Sequence, residues 1–120
     1  MRLDDLVGNT PLVQLKEMKN IFVKLEMFNP SGSIKDRVAK YIVEEYEKNM
    51  ILNAESEFVI STSGNMGISL AFICSIKNYK CSVFMGRNAS SERKKMIRFY
   101  GAKLYETDTL EEAINEAKYY

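Results

Sequence analysis

Histidine is absent from the 120 residues. Without imidazole, a Ser-His-Asp triad, a Cys-His pair and an imidazole-ligated metal are all ruled out within this chain. Acid–base work must fall to lysine, a carboxylate, tyrosine or cysteine. Cysteine is scarce: Cys74 and Cys81 are the only two, and their number and spacing do not suit a zinc site. Cys74 lies inside an apolar run and Cys81 opens another, so buried free thiols are expected. No run reaches the roughly 18–20 apolar residues of a membrane span, and no basic-then-apolar leader opens the chain. Excess charge is missing as well, since 17 basic and 16 acidic residues leave a net charge of +1. Nucleic-acid and membrane-surface partners both call for a basic excess, so neither is expected. A reducing, cytoplasmic setting follows as the expectation, and the Asn88-Ala89-Ser90 sequon is read as accidental.

What is present is a regular alternation. A chain of this length suits one α/β domain. Asn9-Thr10-Pro11 signals a turn, and Leu12 to Leu15 and Ile21 to Leu25 read as strands. After the loop Asn29-Pro30-Ser31-Gly32-Ser33, apolar residues from Ile34 to Tyr46 recur at helical spacing, giving a helix to about Asn49 with Ser33 as N-cap. Phe58 to Ile60 reads as a buried strand, followed by a helix from Asn65 to Lys77 that is apolar on most faces. A strand from Cys81 to Met85, a charged helix from Ser91 to Tyr100 closed by Gly101, a strand at Lys103 to Tyr105 and a helix from Leu110 to Tyr119 complete the chain. Alternation at this spacing predicts an α/β fold: a parallel twisted sheet with helices on both faces. In such sheets ligands bind beyond the carboxyl ends of the strands.

Two loops carry residues suited to chemistry. The first leads into Ile34-Lys35-Asp36-Arg37, where Lys35 would sit in the first helical turn beside the positive end of the helix dipole. That field, with desolvation, favours the neutral amine that attacks a carbonyl; the ordinary alternative is a solvated first-turn lysine. The second is Ser61-Thr62-Ser63-Gly64-Asn65-Met66-Gly67. Its N–H groups and hydroxyls would converge at a helix N-terminus and bind a carboxylate or phosphate, with Gly64 and Gly67 allowing close approach and positive φ. An ordinary βα turn rich in small residues is the alternative. Ser91-Glu92-Arg93-Lys94 matches an S-x-x-K pattern, which a helix N-cap at Ser91 explains.

Taken together, four colinear segments resemble the cysteine synthase and cystathionine β-synthase family of pyridoxal-phosphate (PLP) enzymes, related to the tryptophan synthase β subunit. They are Val7 to Val13; Val23 to Glu26 with Asn29 to Arg37; Thr62 to Gly67; and Ser91 to Met96 with Gly101 to Leu104. The resemblance implies the N-terminal part of the tryptophan synthase β-like fold, with residues 1–27 as leading strands that lean on a second domain and 28–120 as the domain holding the cofactor and substrate loops. It implies that Lys35 carries PLP and moves the α-proton, and that Asn65 bonds the cofactor's 3′ oxygen. It also implies that Thr62, Ser63, Gly64, Asn65 and Met66 grip the α-carboxylate of a small amino-acid substrate. The reaction implied is β-replacement, such as cysteine synthesis from O-acetylserine and sulfide, or β-elimination from cysteine, in an enzyme that is a homodimer when complete.

Two features depart from the family pattern. Met66 stands where the loop usually has a second threonine, which removes a hydroxyl beside the substrate site and bears on O-acetylserine as substrate. The family's phosphate-cradling loop and the hydroxyl facing the pyridine nitrogen have no candidates here, so these 120 residues alone are expected to be inactive. Three other readings remain open at this level: a cystathionine β-synthase-like condensation with homocysteine, a non-catalytic truncated domain, and a flavodoxin-like module binding an anion at Thr62 to Gly67.

Overall fold

Short apolar runs separated by turn residues become two separate sheets. The computed structural model describes residues 1–49 and 52–120. Strands β1 (Leu12–Gln14) and β2 (Phe22–Lys24) pair antiparallel, with Val13 opposite Val23. Helix α1 (Lys35–Lys48) follows, and then β3 (Glu57–Ser61), α2 (Asn65–Lys77), β4 (Lys80–Gly86), α3 (Ser91–Phe99), β5 (Lys103–Thr107) and α4 (Leu110–Tyr119). The last three strands form a parallel sheet in the order β3-β4-β5. Single turns of 3-10 helix at Leu3–Leu6 and Glu26–Phe28 were not foreseen.

The central strand β4 is buried from Cys81 to Gly86 because both of its faces are covered. Val83 points to the side of α2 and α3, where its methyl group approaches Gly67 beside Ile97. Phe84 points the other way, stacking on Tyr105 at 4.6 Å and meeting Tyr120 at the end of α4 edge-on at 5.4 Å. Helices therefore flank the sheet on both faces, as the alternation predicts. Helix α2 is the core of the arrangement. It is buried continuously from Gly67 to Cys74 and packs against α1, α3 and the sheet together, which is why its sequence shows no polar face. Cys74 and Cys81 are buried free thiols, and the Cys74 thiol is pushed up by Cys81 beside it and by burial.

Helix direction matters most for the site. Ser31, just before α1, reaches Ser69 of α2 at 3.1 Å, while Glu47 near the end of α1 pairs with Lys77 at the end of α2 at 2.7 Å. The two helices thus run in the same sense, with their N-termini at one end. That end is the carboxyl edge of the sheet, because α2 starts directly after β3.

Three local expectations are corrected. Ser33 is not the N-cap of α1: Ile34 is, already in helical conformation, because the turn preceding it is wound by Asp36 N–H to Ser33 O and Arg37 N–H to Ile34 O. Ser33 instead accepts the Lys35 N–H at 3.2 Å. For α3 the cap is Ser90, whose hydroxyl accepts the Arg93 N–H, so Ser91 is the first helical residue. Neither Gly64 nor Gly67 has positive φ; among glycines that conformation belongs to Gly8, Gly32 and Gly101.

The β1–β2 hairpin buries almost nothing. Leu12, Val13, Leu15, Ile21, Phe22 and Val23 are all exposed, a concentration of apolar surface unusual for an isolated element.

Candidate active site

The loop after β3 is anchored at its start and open at its end. Thr62 N–H donates to Phe84 O across the sheet at 3.0 Å, and Gly64 N–H donates to Thr62 Oγ1 at 3.1 Å. Helix α2 then begins with Gly64 as N-cap and no side chain capping it. This differs from α3 and α4, whose first turns are closed by Ser90 and Thr109. An uncapped helix leaves its first N–H groups free for an anion, with the dipole favouring negative charge. At α2 those groups belong to Asn65, Met66 and Gly67.

Each small residue of the loop has a distinct role. A Cβ at Gly67 would lie 2.8 Å from the Thr62 methyl, 3.1 Å from Val83 and 3.3 Å from Ile97. Glycine is required there for close packing of loop on helix, not for unusual torsion angles. Gly64 has nothing within 4 Å of its Cβ position, so the space beside the open helix end is clear. Met66 is half-buried against the core and, with Ile42, Phe58 and Leu70, lines an apolar groove of about 470 Å³ at the β3 edge. Ser63 and Asn65 are exposed at the mouth of the loop.

Lys35 stands at the first position of α1, at the same end of the helix pair as the open start of α2. Its side chain is exposed and, among the described residues, its ammonium has no hydrogen-bond or salt-bridge partner. No direct hydrogen bond joins it to the Thr62–Gly67 loop; the structure sets the two helices side by side, with Ser31 within 3.1 Å of Ser69.

The segment leading to Lys35 is held by a polar network that sequence reasoning missed. Arg37 forks onto Glu26 at 2.9 and 3.0 Å, Thr10 donates to Glu26 at 2.8 Å, and Asn29 donates to it at 2.7 Å. The Arg37 hydrogen bonds hold the Glu26 carboxyl at about 2, helped by Thr10 and Asn29 and opposed by desolvation. Asn29 also accepts the Gly8 N–H at 2.9 Å. Thus the turn at Gly8 to Thr10, the 3-10 turn and the start of α1 are one unit. The signal was present in the polar residues of Asn29 to Arg37, but nothing local says which of them pair. No group of three or more metal-ligating side chains occurs among the described residues, and no described helix is long and apolar enough to cross a membrane.

A family model described as pyridoxal-phosphate dependent enzyme matches residues 3–120. The chain belongs to this family. Cysteine synthase of Flavobacterium sp. is 42% identical over 103 residues, covering 82% of this chain and 34% of that protein. Cystathionine beta-synthase of Saccharomyces cerevisiae is 42% identical over 113 residues, covering 88% of this chain and 22% of that protein. Among solved structures, a hydrogen sulfide-producing enzyme of Fusobacterium nucleatum superposes with a TM-score of 0.89 at 38% identity, covering 98% of this chain and 42% of that one. The fold is the N-terminal part of the tryptophan synthase β-like PLP enzymes, as the four motifs implied. The chain spans about a third or less of the length of these two curated relatives.

Proposed function

We propose that this chain is the lysine-bearing part of a PLP enzyme of sulfur amino-acid metabolism, acting by β-replacement or β-elimination on a β-substituted alanine such as O-acetylserine or cysteine. The observation that carries the proposal is the pairing of an unpartnered Lys35 amine with the uncapped start of α2 at one end of two helices that run in the same sense. In this reading Lys35 holds the cofactor covalently and moves the proton at the substrate's Cα. Asn65 donates to the ring's 3′ oxygen. The open N–H groups of α2, with the hydroxyls of Thr62 and Ser63, orient the substrate carboxylate, and the clear space at Gly64 admits it. When bound, PLP supplies the electron sink for a carbanion at Cα.

The residues present suit the cofactor's aldehyde and ring, whereas its phosphate needs a second cluster of N–H donors. Among the described residues the only open helix start beside this site is that of α2. These 120 residues by themselves are therefore proposed to bind PLP weakly and not to turn over. The exposed hairpin within residues 1–27 would be covered, in the complete protein, by further chain of the length its relatives carry. A homodimer is part of the same proposal. Similarity to a sulfide-producing enzyme supports β-elimination from cysteine beside cysteine synthesis, and similarity to cystathionine beta-synthase supports a thiol as acceptor.

The test is chemical. Borohydride added to the chain with excess PLP should fix the cofactor's mass on the peptide containing Lys35 in preference to other lysines. Lys35→Ala should abolish that label and leave thermal unfolding unchanged, since the side chain is exposed and unpaired. A label favouring Lys24 or Lys40, or spread evenly over surface lysines, would overturn the assignment.

A further inference from the structure

Beside Lys35 lies a buried group that the proposed chemistry does not use. Asp36 is fully buried, at 0% exposure, and no lysine or arginine among the described residues forms a salt bridge with it. Its carboxylate accepts the Ser31 N–H at 2.7 Å and the Ser31 hydroxyl at short range. The Ser31 oxygen lies 3.1 Å from the hydroxyl of Ser69, itself fully buried in α2. A serine hydroxyl has one proton. With that of Ser31 given to Asp36, Ser69 must be the donor in the second bond, and the relay runs Ser69 to Ser31 to Asp36.

The relay joins two places that matter for Lys35. Ser31 and Asp36 close the loop over the first turn of α1, on either side of the lysine. Ser69 lies four residues after Asn65, hence on the same face of α2. The carboxylate's field reaches Tyr100 after α3, whose phenol is pushed up first by burial and then by Asp36. Burying a carboxylate without a cation costs desolvation that apolar packing of the same helices would avoid. A directional relay of hydroxyls, by contrast, sets a single register between the helices.

We propose that Ser31, Asp36 and Ser69 are positioning residues, whose hydrogen-bond relay fixes Lys35 in register with the face of α2 that carries Asn65. This rests on Lys35 being the cofactor lysine, as proposed above, and the experiment separates the two ideas. The chain is incubated with PLP, reduced with borohydride and digested; the label on Lys35 is then divided by the label on Lys16 and Lys19, exposed lysines of the hairpin connection, in the same sample. Far-UV circular dichroism and thermal unfolding are recorded in parallel, and labelling is done well below the unfolding temperature. Ser31→Ala, at a half-buried site, breaks the link between the helices at its centre; it should lower the ratio about five- to tenfold, the scale of one lost hydrogen bond. Ser31→Thr keeps the hydroxyl and should restore the ratio. Ser69→Ala should lower it, and the double variant should be no worse than Ser31→Ala alone, because one relay is broken once.

A merely structural role would move the unfolding temperature without moving the ratio. If the parent labels Lys35 preferentially and folded Ser31→Ala does so equally, the relay does not position the lysine and this inference fails alone. If the parent shows no preference for Lys35, the proposed function fails and the inference with it.

Discussion

Gly67→Ala puts the loop-on-helix contact to the test at a point where the structure sets the magnitude. The new methyl would meet the Thr62 methyl at 2.8 Å and Val83 and Ile97 at 3.1 and 3.3 Å. Val83 and Ile97 are fully buried and cannot withdraw, so Thr62 must move. Overpacking a full core costs about 1–3 kcal/mol. Replacing glycine within a helix returns about 0.8–1 kcal/mol. The net loss is about 0–2 kcal/mol, which for a chain of this size is a fall in Tm of up to about 8 °C. A second effect is local. Thr62 Oγ1 accepts the Gly64 N–H, and displacing Thr62 releases that amide to solvent. Thermal unfolding by circular dichroism reads the first effect, and hydrogen exchange at the Gly64 amide reads the second. Gly64→Ala is the control, since its Cβ meets nothing within 4 Å and its extended φ of -130° suits any residue. A Gly67→Ala chain as stable as its parent, with unchanged exchange at Gly64, would refute the reasoning.

Two further outcomes are expected. Because the folded chain holds the Glu26 carboxyl at about 2 against an ordinary 4.5, its contribution to stability is complete above about 4.5 and is lost as pH falls toward 2. Glu26→Gln should flatten the acid limb of a stability-against-pH curve in that window, and an unchanged slope would show that another carboxylate sets it. Met66→Thr should lose about 1–2 kcal/mol in denaturant unfolding, because a half-buried apolar side chain packed against the core and lining the groove with Phe58 and Leu70 is cut short. Met66→Leu should keep most of that stability, and equal stability of all three chains would mean that the side chain at 66 does not pack as described.

Much of the fold was legible because patterning and packing agree. Helices α2 and α4 begin and end where periodicity placed them, at Asn65–Lys77 and Leu110–Tyr119. Each parallel strand is longer than its apolar run: β3 extends to Glu57 and Ser61, and β5 continues through Glu106 to Thr107. The polar ends are carried by pairing to β4, from Glu57 opposite Lys80 to Gly86 opposite Thr107. Hydrogen-bonded ladders extend strands past the point where hydrophobicity stops announcing them. The glycine stop at Gly101 holds, with φ of 83°, but the two N-caps failed for a related reason. Ser33 and Ser90-Ser91 all have the right chemistry, and the choice among them depends on how the preceding turn enters the helix.

For the candidate site, composition marked the two loops, and geometry shows which of their residues are exposed and which are packed. Lys35 and Asn65 announce themselves as polar residues at helix starts, and Thr62 as one in a strand-to-helix loop. Ser69 does not: in the run Ile68 to Cys74 it reads as a small residue tolerated in an apolar helix. Its meaning appears only when α1 is laid alongside α2 in the same sense and Ser31 comes within 3.1 Å. Asp36 was equally masked, since an acidic residue in a first turn is sufficiently explained by the helix dipole. Its complete burial is what the dipole does not explain. Sequence pattern identifies groups that act at a surface, because exposure leaves them free of their neighbours. The groups proposed to hold those in place are bonded to residues distant in sequence, and they become visible only when the two helices are placed side by side.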